Sequence, residues 1–146
     1  MIIPAQKKNV FGFTLIELLI VIAILGILAA AVLVAVNPAK RQRQARDSAR
    51  KNDVGQMATA VQAYFTTPGQ GTYPAGLTAL TASGDLKQIP TDPTGGAYSY
   101  TLNAASSESG IYIVLEDPTG ASGSAWCWQS TTGKAREVIA DTACTP

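Results

Sequence analysis

Phe13 to Val36 reads FTLIELLIVIAILGILAAAVLVAV, 24 residues whose only polar side chains are Thr14 and Glu17. As an α-helix it would be about 36 Å long, enough to cross a hydrocarbon core of about 30 Å. It is apolar all round rather than along one stripe, so it is not the amphipathic helix of a small soluble domain. The segment reads as a membrane span. Outward from it, charge falls into three blocks. Residues 1–36 sum to +1, with Lys7 and Lys8 against Glu17. Residues 37–53 sum to +4, with Lys40, Arg41, Arg43, Arg46, Arg50 and Lys51 against Asp47 and Asp53. Residues 54–146 sum to −4. Charged residues make up 14% of the 146 residues, below the roughly 25% of a soluble domain. There is no His, which excludes His-dependent triads and His-ligated metals, and two Cys alone build neither a zinc finger nor an iron–sulfur site. An apolar end, a basic collar and an acidic body suit a membrane-attached protein better than a free cytosolic enzyme.

Three uses of the span compete. A cleaved secretory signal would take its basic region from Lys7 and Lys8 and its cleavage site from Ala29–Ala31. The apolar run continues past that site to Val36, and a carboxylate inside the signal is unfavourable. A plain signal anchor leaves Glu17 unexplained. An acid within a membrane segment is a functional hypothesis by default, with a partner to be named.

The stretch KKNVFGFTLIELLIVIAILGILAAAVL supplies that partner. It resembles the class III signal and N-terminal helix of type IV pilins and type II secretion pseudopilins. The resemblance implies cleavage by a prepilin peptidase between Gly12 and Phe13, followed by N-methylation of Phe13. It also implies that Glu17, four residues on, pairs with the new amine on its own or a neighbouring subunit and sets register in a filament. Gly26 matches a glycine at which family helices loosen when packed, whereas Val34 stands near where many members carry proline. Counting flanking charges alone would leave the body in the cytoplasm; the resemblance implies the reverse, with the N-terminus cytoplasmic and the head outside.

Asn37-Pro38 interrupts the span. Proline suits a first helical turn and Asn an N-cap, so either the helix kinks here or a second one begins. Ala45, Ala49, Met57, Val61 and Tyr64 or Phe65 recur at helical spacing and predict an amphipathic helix to about Phe65, ended by Thr66-Thr67-Pro68-Gly69. The collar at 40–51 suits a solvated or lipid-headgroup face, or the acidic heads of neighbouring subunits. DNA is a possible third partner, but no aromatic platform stands beside the charges. From Gly69 on, a helical turn is expected within Leu77–Leu86. Strands are expected at Ala97–Leu102, Ile111–Leu115, Trp126–Ser130 and Ala135–Ile139, as two hairpins. Burying both apolar faces calls for sheet against helix.

These readings give an α+β, pilin-like fold, a long N-terminal helix packed on a small antiparallel sheet. Residues 1–12 form a leader, 13–36 a transmembrane and polymerisation helix, 37–66 its amphipathic half, and 67–146 a globular head with a C-terminal disulfide loop. Cys127 and Cys144, on the exported side, either pair in a disulfide, as in many pilins, or remain two buried thiols. IPTDPTGGAYSY resembles the segment before the sheet of major pseudopilins, which often bind calcium in a following acidic loop. Asp92, Glu116 and Asp117 could offer oxygens, but not at EF-hand spacing, and neither a metal nor a cofactor is assigned. The expected function is that of a structural subunit of a type IV pilus or pseudopilus, not an enzyme, since the head carries no nucleophile or phosphate-loop motif. The implied partners are copies of itself, a prepilin peptidase, an inner-membrane platform, a motor ATPase and, before assembly, membrane lipid. The rival is a membrane-anchored monomeric binding module using Trp126 and Trp128.

Overall fold

The computed structural model describes residues 12–139 and 144–146; the expected leader, apart from Gly12, lies outside the described residues. The chain divides into two compact units, residues 1–38 and 39–146.

The first unit contains one helix, α1, Leu15–Val36. It passes through Gly26 without a break, none of its 22 residues is buried, and it is long and apolar enough to cross a membrane. It ends because Asn37 turns into the left-handed region, φ 45° and ψ 76°. Asn tolerates that conformation better than most residues with a side chain. Pro38 then opens α2, Pro38–Thr66, where its missing N–H would have lacked a helical partner anyway. Asn37 is therefore the C-cap of the first helix rather than an N-cap of the second, and residues 13–65 form two helices.

The second unit is built on α2. Its buried residues Asp47, Arg50, Val54, Met57, Ala58 and Val61 follow one another at steps of three, four, three, one and three, a single helical face, with Ala60 buried beside it. Ala45, placed on that face by the sequence reading, is exposed, and Ala49 is half-buried. The face begins with two charged residues, which a search for apolar periodicity passes over. A short helix α3, Leu77–Ser83, contributes the fully buried Leu80 and stops at Gly84, whose φ of 85° few other residues adopt readily.

Four strands follow: β1 Ser99–Leu102, β2 Ser109–Val114, β3 Ser124–Gln129 and β4 Lys134–Ile139. They form an antiparallel sheet in chain order. Register places Ile111 opposite Trp128 and Ile113 opposite Trp126. Period-2 alternation puts these four on one face, where they pack against Val54, Met57, Val61, Leu80 and Tyr98. Burying each large aliphatic side chain is worth about 1.5–3 kcal/mol, so this layer holds the unit together. Tyr112, Ala125, Cys127 and Val138 lie on the opposite face beneath Cys144. Cys127 and Cys144 are joined by a disulfide with Cα atoms 5.7 Å apart. The C-terminal segment crosses Gly110 so closely that a Cβ there would sit 2.6 Å from the carbonyl oxygen of Cys144.

Candidate assembly site

At the start of α1, Thr14 is extended (φ −82°, ψ 153°) and serves as N-cap. Its hydroxyl accepts from the Glu17 N–H at 3.3 Å, while the Glu17 carboxylate accepts from the Thr14 N–H and hydroxyl at 2.8 Å each. This capping box satisfies donors that a helix start otherwise leaves without partners. Phe13 lies one residue outside the helix and is 92% exposed. Glu17 is thus tied to Thr14 rather than stacked over Phe13 as a helical i, i+4 pair. Gly12, also outside the helix, has nothing within 4 Å of an added Cβ, so the Gly12–Phe13 bond stands clear of the described fold. From Leu15 onward α1 presents large apolar side chains on every side, which in water demand lipid or other helices.

A second constellation fixes α2 to the head. Arg50 is 4% exposed and donates to Asp92 at 2.5 and 3.2 Å, to Asp47 at 2.8 Å and to the Thr94 hydroxyl at 3.1 Å, and lies 2.9 Å from Glu116. Asp47 in turn accepts from the N–H groups of Glu116 and Asp117 at 2.7–3.1 Å, holding the turn after β2. Arg46 grips Glu116 through two parallel N–H donors, and Gln44 reaches Asp117 at 2.8 Å. Asp92 also accepts from its own Thr94 hydroxyl and from the N–H groups of Thr94 and Gly96. The Arg50 guanidinium is the main reason that the Asp92 carboxyl lies well below the usual carboxylate range, helped by these local donors and opposed by burial. Glu116 is likewise lowered, chiefly by Arg46. Such a pair resists rearrangement because breaking it strands a buried charge.

This network was not legible as a site. The sequence marked Asp92 only as a possible oxygen donor to calcium and the two arginines as part of a collar. The missing signal was tertiary: residues 42 positions apart meet across the unit. Arg46 and Arg50 are thus spent on acids of their own head, which corrects each of the three readings (solvent or lipid headgroups, neighbouring heads, DNA) in so far as it took the whole collar as a free surface. The three carboxylates considered for calcium are engaged with Arg46, Arg50, Gln44 and backbone donors, and among the described residues no group of three or more His, Cys, Asp or Glu side chains stands ready for a metal. The aromatic platform of the rival reading is packed away as well. Trp128 is 3% exposed in the core, and Lys51 covers Trp126 with its Nζ 4.7 Å from the ring centroid.

Residues 7–33 match the family model described as the prokaryotic N-terminal methylation motif. Over 106 residues the chain is 36% identical to Type II secretion system core protein G of Pseudomonas aeruginosa, covering 62% of this chain and 72% of that protein. No solved structure matches the chain.

Proposed function

The chain belongs to the pilin and pseudopilin family, whose members are structural subunits of pilus-like systems and not enzymes, and we propose that it is a filament subunit of the protein-secretion type. The observation that carries this reading is the extent of the similarity. At 106 residues it runs well beyond the 27 of the methylation motif, so it takes in part of the chain that the motif alone does not classify. The chain is membrane-anchored through α1 before assembly, with its N-terminus cytoplasmic and its head outside. A prepilin peptidase cuts between Gly12 and Phe13, and the Phe13 amine is methylated. An inner-membrane platform and a motor ATPase then drive subunits out of the bilayer into the filament.

The physical logic is one of exchange. In the bilayer the bare apolar surface of α1 is solvated by lipid; in a filament the same surface packs on α1 of other copies. A carboxylate held in that environment is tolerable when a cation joins it. Cleavage supplies the cation at Phe13, and pairing across subunits makes Glu17 a register mark. The test is N-terminal sequencing and intact mass of the protein extracted from membranes of its native host. A chain beginning with N-methylated Phe13 supports the reading. One that retains Met1, or begins near Ala31, would sink it.

A further inference from the structure

Cys127 and Cys144 are both 0% exposed. Thiol–disulfide exchange needs a thiolate to reach one of the two sulfurs, so this burial decides when the bond can be made or broken. The Cys144 sulfur lies 3.5 and 3.7 Å from the carbonyl oxygens of Ile111 and Trp128, which are fixed in β2 and β3. Residues 144–146 are the part of the cover that can move. Cys144 packs in the cluster of Tyr112, Ala125, Cys127 and Val138, whereas the main core lies on the other face of the sheet with α2 and α3. The Thr101 hydroxyl donates to the Cys144 carbonyl at 3.0 Å, and the Gln129 side-chain amide donates to the Thr145 carbonyl at 2.7 Å. Gly110 makes room beneath, since a Cβ there would sit 2.6 Å from the Cys144 carbonyl oxygen and 2.7 Å from the Thr101 hydroxyl. Lifting this segment breaks polar contacts and uncovers Cys127 while the main core stays packed, which is the pattern of a local opening.

We propose that residues 144–146 act as a strap that has to lift before Cys127–Cys144 can be formed or exchanged, so that oxidation by a disulfide-donating partner precedes closure of the head. In that step one cysteine thiolate attacks the donor's disulfide, forming a mixed disulfide and releasing one donor thiolate. The second cysteine thiolate then attacks the mixed disulfide and releases the other. The donor's S–S bond breaks and the chain's forms. Two electrons pass to the donor, and the protons of the two cysteine thiols end on the donor's thiols. Once the strap closes, thiols in the surroundings no longer reach the bond. The donor's place on the exported side rests on the reading of the head as outside; the strap does not.

The test uses the full oxidised chain in detergent, with dithiothreitol as the thiol and alkylation followed by intact mass to count reduced chains. It is independent of where the head resides. At one dithiothreitol concentration and pH, reduction without urea should be about 100-fold or more slower than in urea that unfolds the head. Below the unfolding transition the rate should change little with urea, because a lifted strap exposes little surface, whereas global unfolding carries the full urea slope. G110A, which crowds the strap, should speed reduction without urea about tenfold or more. Thr101→Val, which removes the hydroxyl that holds the Cys144 carbonyl, should speed it about fivefold and gives the same reading should G110A not fold. Each exchange step is reversible, so the route found for reduction is also the route for oxidation. Reduction without urea as fast as in the unfolded chain would mean that the sulfurs are reached in the closed head, and would overturn the strap. So would a urea slope equal to that of global unfolding, or wild-type rates in both variants.

Discussion

At Glu17 one carboxylate serves two demands, closing the capping box with Thr14 and, in the proposed filament, meeting the Phe13 amine. The two separate by substitution, because Gln at this position can still close the box but carries no charge. Glu17→Gln should therefore keep α1 folded and membrane-inserted, yet reduce filament yield about tenfold or more, and Glu17→Ala should do the same. Sheared-filament yield against total membrane protein measures this. Wild-type yield from Glu17→Gln beside failure of Glu17→Ala would reduce Glu17 to a helix cap. At Asp92 the argument concerns the head alone. Its folded pKa lies below its unfolded value near 4, so the unfolded chain binds the extra proton as acid is added. The stabilisation is complete above that unfolded value and drains away as pH falls below it. Head stability in urea, followed by Trp fluorescence, should be flat from pH 5 to 7 and decline below about pH 4. Asp92→Asn keeps an acceptor for the Thr94 and Gly96 N–H groups but leaves Arg50 short of charge. It should cost about 3 kcal/mol at pH 7 and blunt the acid decline.

At the scale of elements, the disulfide and Gly110 act on one object, the C-terminal segment laid across the sheet. Reducing Cys127–Cys144, which spans 17 residues, should cost about 3 kcal/mol. Gly110→Ala would drive a methyl group into the Cys144 carbonyl and the Thr101 hydroxyl, lifting the segment at about 1–3 kcal/mol. If both act through that contact, the Gly110→Ala penalty should shrink once the disulfide is reduced, and a double cycle of urea midpoints reads the coupling. The elements also show where the sequence was transparent. All four strands lie within two residues of their expected starts, because alternation and turn residues are local signals. α1 stands out by apolarity alone. The break at Asn37-Pro38 was visible, but the cap it forms depends on a left-handed φ that composition does not encode. The charged start of the α2 face was hidden for a physical reason: Asp47 and Arg50 are buried only because Asp92 and the turn at Glu116 arrive from far along the chain.

On the scale of the whole molecule, stability and assembly are assigned to different lengths of chain. The core residues begin at Val54 and none comes from α1, whose side chains are all exposed. A chain starting at Ala39 should therefore retain the helix, the sheet, the disulfide and the Arg50 network. Its free energy of unfolding from urea titration should match that of the detergent-solubilised full chain to within about 0.5 kcal/mol, the scale of changes outside the core. It should sediment as a soluble monomer and fail to enter filaments, because the apolar surface that has to be exchanged between lipid and neighbours has gone. An aggregated or unfolded 39–146 chain would mean that α1 supports the head, tying folding to membrane residence. A folded monomer would mean that the head is complete before assembly begins. Polymerisation could then draw its driving force from the 22 residues of α1 without remodelling the surface that the filament presents.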